Sequence, residues 1–596
     1  MPLVQCLFPA PWWTPLSYSC ERALPEGLRV SAPLGRGRRV AVTVEAPAGD
    51  FDIEKTRPLS SVIDDEAPLP AELWRLVKWF GETWFIGAGF AMKSLLPSKF
   101  FTDEKLPPLP RFDGGGEKFS AEDVYSADCR MRWERYRDAI EQSPRSSLAL
   151  FPEVKMAAAF WESLPSGLRA DGALWPESPA RQWKLWKCAR EGNIRFIVGP
   201  PGAAFVPLAG LSSIIMDEEN QGGWRTQSHP VFHLRPLLGM RAIFCGARFI
   251  LGGMMPSSKG YLRAEPECLE KNNESRLIFV SVKEASSSEV ASLRDRLPIS
   301  SPLIRETSEV RREGKWAFWL LDRKGYAGEI SCDECGGALR CERCGSIMRW
   351  EEKKHCLSCI SCGSRRAIPE LCPNCGGTLL RGSRPGLEAL YERVSGALRE
   401  RYKNVLLFQS REEKLPSAEE LTEKYPGGAL IIGTRKLLSL CDGLSPALIG
   451  WIDADAETRS AEYDAKARAY GMIWESMWRG GSERKIVIQS RRPGKGWQEG
   501  LRRGWKYFWR RELKEREEWE LPPYTPMIKI SMPRGGGAPL SRKLEERGLE
   551  YWISDEKENE IWVRGKQFRI LKEILSPSFD ISRAGKAFPS VLLYLD

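Results

Sequence analysis

CDECGGALRCERCGSIMRWEEKKHCLSCISCGSRRAIPELCPNC, residues 332–375, holds four C-x-x-C pairs: Cys332/Cys335, Cys341/Cys344, Cys359/Cys362 and Cys372/Cys375. A C-x-x-C turn sets two thiolates on one side of a tight knuckle. Two such knuckles complete a tetrahedral four-cysteine site for Zn2+, so these eight cysteines suit two zinc ions. Glycine follows the second cysteine of each pair, at Gly336, Gly345, Gly363 and Gly376. Positive φ there lets backbone N–H groups turn back toward sulfur. A closed four-cysteine site leaves no position for water, so this zinc shapes the chain and does no chemistry. Disulfides and redox pairs are the alternatives for this spacing, but nothing else in the chain looks secreted. Cys356 falls outside the pairs and reads as a spare thiol.

The 596 residues suffice for roughly three to five domains. Composition, at 42% hydrophobic and 28% charged, is that of a soluble globular protein. No apolar run reaches the ~20 residues that span a bilayer. Met1 to Ala10 lacks the pattern of a signal peptide, and the cysteines outside the pairs suit a reducing compartment, so a cytoplasmic location is expected. A net charge of +10 is compatible with a polyanionic partner.

The chain reads as multidomain α/β. Residues 1–98 form a small β-rich domain ending in a helix. Leu28–Val44 gives two strands around a basic turn at Gly35–Arg39, and Ala71–Phe80 has helical spacing. Residues 99–122 are a Pro/Gly-rich linker. Residues 123–262 alternate helix and strand, with strands at Ser147–Phe151, Arg195–Val198, Leu211–Met216 and Ala242–Leu251. The third ends in Asp217-Glu218-Glu219-Asn220, and strand C-terminal ends are where parallel sheets place ligand groups. A second α/β lobe covers 263–330 and 381–515, interrupted by the cysteine module at 331–380. Its strands fall at Trp316–Leu321, Asn404–Phe408, Ala429–Ile432, Ala447–Ile452 and Lys485–Ile488. Residues 491–516 interleave Arg502, Arg503, Lys506, Arg510 and Arg511 with Trp505, Tyr507, Phe508 and Trp509. That pattern reads as an amphipathic helix with its aromatics in the core and its arginines in water. Residues 516–596 give a small C-terminal α/β domain.

This order resembles the PriA family, the replication restart helicases of bacteria. The cysteine spacing C-x2-C-x5-C-x2-C-x14-C-x2-C-x9-C-x2-C is similar to the family's, as is Ile368-Pro369 ahead of C-P-N-C. Asp322-Arg323-Lys324-Gly325-Tyr326 resembles the family's N-R-R-G-Y, and FPE (151–153), VGPPGAAFVPL (198–208) and FHLR (232–235) resemble family motifs of the first lobe. The segments 15–19, 24–44 and 79–97 are similar to the family's 3′-end DNA-binding domain. The resemblance implies that domain, two RecA-like lobes, a double-zinc insertion in the second and a small C-terminal domain. It implies two structural zincs in nested pairs, Cys332/Cys335 with Cys372/Cys375 and Cys341/Cys344 with Cys359/Cys362. It places Tyr18, Gly35 and Arg57 in a 3′-terminus pocket, Trp224 in a DNA-sensing loop, and Arg323 among DNA-binding residues. Ser17 stands where the family has an acidic residue. Implied partners are forked, 3′-ended or single-stranded DNA, primosome and replication-restart proteins, and single-strand-binding protein. A monomer without membrane contact is expected.

The motor motifs depart from the family. A P-loop needs glycines to wrap phosphates, a lysine for the β- and γ-phosphates, and Ser/Thr for Mg2+. Aligned on Glu134–Glu141, the family's G-S-G-K-T falls on Cys129-Arg130-Met131-Arg132-Trp133. Arg132 takes the lysine place, and with Asp217 and Glu218 forms a degenerate nucleotide site. The family's arginine-finger motif becomes Glu475-Ser476-Met477-Trp478-Arg479-Gly480-Gly481-Ser482, and its G-T-x-x-x-x-K-G loses Lys-Gly over Gly433–Leu440. Asp453-Ala454-Asp455 survives. The winged helix expected after the first domain has no room in 99–122. The expectation is therefore a PriA-like restart protein that binds branched or 3′-ended DNA and has no catalytic residues, with ATP and Mg2+ binding in doubt. The other readings are an active 3′–5′ DNA helicase and a zinc-stabilised interaction scaffold that does not bind DNA.

Overall fold

In this computed structural model the described residues are 2–45, 56–110, 118–226, 228–264, 266, 276–281, 299–321, 330–332, 334, 338–342, 348–351, 356–359, 364–378, 380–382, 387–397, 402, 404–408, 415–459, 462–481, 483–533, 535–553, 559–583 and 587–596. They form two units, Met1–Glu267 with Leu513–Asp596, and Cys268–Glu512.

The first unit opens with a six-stranded sheet. In spatial order its strands are Arg57–Pro58, Leu16–Ser19, Leu3–Leu7, Gly37–Val44, Arg29–Leu34 and Ser61–Val62. The Tyr18 hydroxyl donates to the Pro33 carbonyl at 2.8 Å, although two strands separate theirs in the sheet. Flat strands would put those residues about 14 Å apart, so the sheet curls strongly. Arg29, at the start of Arg29–Leu34, is buried and paired with Asp64 through two 2.7 Å bonds. It also donates to the Phe100, Thr102 and Glu104 carbonyls, which fixes the start of the following segment.

The helix Ala71–Thr83 buries Leu73, Leu76, Val77 and Phe80, one face at 3.6-residue spacing. That face shares a core with Leu234, Leu237 and Leu238 of the helix Leu234–Cys245. The first domain is therefore packed onto the α/β lobe that follows.

That lobe is a six-stranded parallel sheet. Its order is Ser120–Tyr125, Arg248–Gly253, Leu211–Met216, Ser146–Leu150, Phe196–Gly199, Gly172–Leu174. Central strands such as LSSIIM are buried along their whole length, as in a parallel sheet covered on both faces. Two expectations are corrected here. Residues 242–245 end a helix rather than begin a strand; Gly246, at φ 66°, turns the chain and the strand starts at Arg248. A short apolar run does not distinguish the two states. The lobe's edge strand also begins at Ser120, inside the expected linker, and its polar sequence SAEDVY hid it.

After Pro526 a four-stranded antiparallel sheet closes the first unit, in the order Tyr551–Ile553, Glu560–Arg564, Met527–Ser531, Ser590–Tyr594. The helices Gly537–Glu546 and Phe568–Leu575 share the core beneath it with Phe85 of the first domain.

The second unit contains another six-stranded parallel sheet, Arg276–Ser281, Lys485–Ser490, Leu448–Trp451, Ala317–Leu320, Leu430–Gly433 and Val405–Phe408. Five of these strands match the sequence reading within two residues; Arg276–Ser281 was not foreseen. The cysteine module forms a ribbon, Ile330–Cys332 against Leu380–Gly382, and a three-stranded sheet of Met348–Glu351, Cys356–Cys359 and Arg365–Arg366. No helix among the described residues is long and apolar enough to cross a membrane.

Candidate functional site

The helix Cys129–Glu141 follows its strand after only three residues, Ser126 to Asp128. A phosphate-binding loop keeps its N–H groups free to face an anion. Here they turn inward. Asp128 caps the helix and accepts from the Arg130 N–H at 2.9 Å, and its own N–H donates to Ser126 Oγ at 3.1 Å.

Arg132 then points to the strand ends. Its side chain is 1% exposed. Nε donates to Asp217 Oδ1 at 2.9 Å, Nη2 to Glu218 Oε1 at 2.6 Å, and Nη1 to the Ser126 carbonyl. Burial alone would weaken the guanidinium's charge, but the Asp217 and Glu218 carboxylates reverse that and hold it protonated. Tyr136, one turn further on the same helix face, donates to Asp217 Oδ1 at 2.8 Å. Its ring lies against Gly252, where a Cβ would stand 1.7 Å from the hydroxyl. Glu218 has φ 48°, and its second carboxylate oxygen accepts from the Met254 N–H at 3.1 Å. The acidic pair is thus held by the chain's own cation and by neutral donors.

Glu219 is fully buried beside this cluster. It takes the Tyr125 hydroxyl at 2.9 Å, the Ser257 N–H at 2.7 Å, and an ion pair from Arg235, which also pairs with Asp596. Burial pushes its carboxyl up, but Arg235 and these donors outweigh burial and the net shift is below the ordinary glutamate range. A carboxylate lowered in the folded state contributes stability above its unfolded pKa, lost as pH falls through the folded value. We expect the thermal midpoint of the protein to drop as pH falls below about 4, and Glu219→Gln to flatten part of that acid limb while lowering the midpoint at pH 7.

Trp224 needs correction. It is fully buried, and its indole N–H donates to the Asp217 and Glu218 carbonyls at 3.1 and 2.9 Å. It braces the acidic turn and offers no face to a base. In the first domain, Tyr18 and Arg57 are register partners on adjacent strands. Tyr18 is 4% exposed, and burial with a neighbouring Cys6 pushes its phenol up to about 12. Its bond to Pro33 brings it within two residues of Gly35, which turns the hairpin at φ 63°. Arg57, Arg36, Arg38 and Arg39 are exposed. Arg323 lies outside the described residues. In the second unit Arg479 commits its guanidinium to Asp442, at 2.6 and 2.9 Å, and to Glu475 at 2.7 Å.

In the cysteine module, Sγ atoms of Cys332, Cys372 and Cys375 lie within 4.8 Å of one another. The Cys332–Cys375 separation is 3.7 Å. A disulfide would need about 2.05 Å; a tetrahedron with Zn–S bonds of about 2.3 Å has edges of about 3.8 Å. These thiols therefore fit zinc. Gly376, at φ 73°, turns its N–H onto the Cys372 carbonyl at 2.8 Å. Cys341 and Cys359 are buried in one small cluster with Leu339, Met348 and Leu357. Cys335, Cys344 and Cys362 lie outside the described residues, as do Gly336, Gly345 and Gly363. Cys356 begins a strand, half-buried, and no disulfide joins it to another described cysteine.

Sequence reasoning missed Tyr136 and Arg235 as members of the acidic site. Tyr136 was detectable at four residues from Arg132 on one helix.

The two units each contain a six-stranded parallel α/β sheet, one ending in a buried acidic turn and one whose chain is interrupted by a cysteine module. Residues 5–97 match the family model of the PriA 3′ DNA-binding domain. The replication restart protein PriA of Chlamydia pneumoniae is 24% identical over 410 residues, 66% of this chain and 54% of that protein. The Treponema pallidum protein of the same name is 22% identical over 546 residues, 85% and 82% of the two chains, and that of Thermotoga maritima 26% over 366 residues, 60% and 48%. Residues 5–97 are thus similar to the PriA 3′ DNA-binding domain, and the longer matches are to proteins named replication restart protein PriA. The chain spans about half the length of the first curated relatives it matches. A yeast Dbp5 structure bound to RNA and ADP BeF3 covers 76% of this chain and 98% of its own, at 12% identity and a TM-score of 0.31, too loose a likeness to bear on the site.

Proposed function

We propose that this chain is a replication-restart protein that binds branched or 3′-ended DNA and helps assemble a primosome, without hydrolysing ATP. The observation that carries the reading is Arg132, buried between Asp217 and Glu218 where a nucleotide-bound metal would sit. Phosphoryl transfer needs a phosphate cradle, Mg2+ and a cation for the transition state. The loop before Arg132 uses its donors internally, and the acidic pair is already matched. The first domain supplies the DNA contact: exposed Arg36, Arg38 and Arg39 at a hairpin tip for phosphates, with Gly35 and exposed Arg57 beside it for a strand end and buried Tyr18 supporting them through its bond to the Pro33 carbonyl. Two zinc ions, one held by the Cys332, Cys372 and Cys375 set with Cys335 and one by the Cys341 and Cys359 set with Cys344 and Cys362, fix the module that faces partners.

The test is equilibrium binding of a fork with a free 3′-hydroxyl end, compared with the same fork carrying a 3′-phosphate. Fork binding that weakens steeply with salt and falls with the blocked end is expected. No binding at low salt would contradict the reading and leave an interaction scaffold that does not bind DNA.

A further inference from the structure

Between Arg491 and Arg511 the chain carries eight lysines and arginines and a single carboxylate, Glu499. The structure separates the two halves of this pattern. On the helix Trp505–Glu518 the aromatics Trp505, Phe508 and Trp509 are buried, none more than 3% exposed, so they hold the element down. Arg491, Arg492, Lys495, Arg502, Arg503 and Arg510 are exposed. Among the described residues, the only ion pair formed by the cations of this stretch is Arg511 with Glu499.

The turn bearing the first three cations is rigidly built. Asp455 accepts from Ser490 Oγ at 2.9 Å and from the Arg491 N–H at 2.7 Å. Buried Gln498 donates to Ser490 Oγ at 2.9 Å and accepts from the Gly494 N–H at 2.9 Å. Gly494 and Gly496, at φ 67° and 63°, make the reversal. The arginines beyond it are ordered by rings: Arg502 lies 4.5 Å from the Phe279 centroid, and Arg503 and Arg511 lie 4.7 and 5.7 Å from that of Tyr507. Like charges held this close repel, and cations near a helix N-terminus oppose its dipole. A dense external anion would relieve that repulsion.

We infer that this face of the second unit grips the phosphate backbone of a duplex DNA arm. The inference rests on the DNA-binding reading above and adds a second contact, remote in sequence from the first domain. Duplex rather than unpaired bases is indicated because Trp505, Phe508 and Trp509 are buried, Tyr507 is flanked by guanidiniums and Trp497 is half-buried, so no row of open rings lies beside the cations. The contact is sequence-independent, because phosphates carry no base information.

The test compares the full chain with Arg492→Gln/Lys495→Gln/Arg510→Gln, none of whose side chains has a protein partner among the described residues. Fork affinity is measured from low to physiological salt, with circular dichroism confirming the fold. Each lost phosphate contact lowers the slope of log K against log salt by about 0.9, about fivefold in affinity at 0.15 M salt. The triple variant should therefore lose about 2–3 units of slope and about 100-fold in affinity. A slope equal to that of the unsubstituted protein would overturn the inference and leave the patch to an acidic protein segment. Absence of fork binding by the unsubstituted protein would instead remove the reading on which it rests.

Discussion

Arg132→Met should destabilise the first unit by about 3–5 kcal/mol, the cost of leaving buried carboxylates without their cation. Asp217 is fully buried and Glu218 is 6% exposed, so water reaches neither freely. Methionine fills similar volume, so the loss is electrostatic rather than a cavity. Urea denaturation at pH 7 measures it. The same chain with Asp217→Asn and Glu218→Gln added should recover much of the loss, because neutral amides need no counter-charge. Loss without recovery would mean that Arg132 acts through packing. In a working motor the P-loop cation must stay available to phosphate; here its removal threatens the fold.

Cys372→Ser should cost the outer zinc site outright. Structural zinc contributes about 10–16 kcal/mol of binding free energy in small modules that lack other cores, and this module's own apolar cluster is small. Elemental analysis of the purified protein should fall from two zinc ions per chain to one, and limited proteolysis should cut within 330–382. The ribbon of Ile330–Cys332 with Leu380–Gly382 closes beside that site, so its loss opens both module ends. Cys356→Ser should change neither zinc content nor proteolysis.

Much of this was legible in the chain. Cysteine spacing needs only local turns to predict a metal knuckle, and Cys332, Cys372 and Cys375 converge in the pairing that the family resemblance implies. Central parallel strands such as LIIG and LSSIIM announce themselves because both faces are buried. The polar edge strand Ser120–Tyr125 did not, since one of its sides lacks a neighbour. The loss of a phosphate cradle could be read from Cys129–Trp133, but what replaced it could not. That depends on a rotamer of Arg132 meeting a strand end 85 residues away. Trp224 misled because the resemblance carries over a position and not a rotamer: its indole N–H is bonded beneath the acidic turn. At 491–511 the separation of core rings from exposed arginines was legible in the pattern, and the structure bears it out; the ring contacts that order Arg502 and Arg503 required the fold.

The most direct test of the central claim is phosphate release from ATP and Mg2+ by the zinc-loaded protein, with and without saturating forked DNA. No release above a protein-free control is predicted under either condition, while the same sample binds the fork. Phosphate release stimulated by DNA would contradict the account, because it requires Arg132 to leave Asp217 and Glu218 and a phosphate site to form in its place.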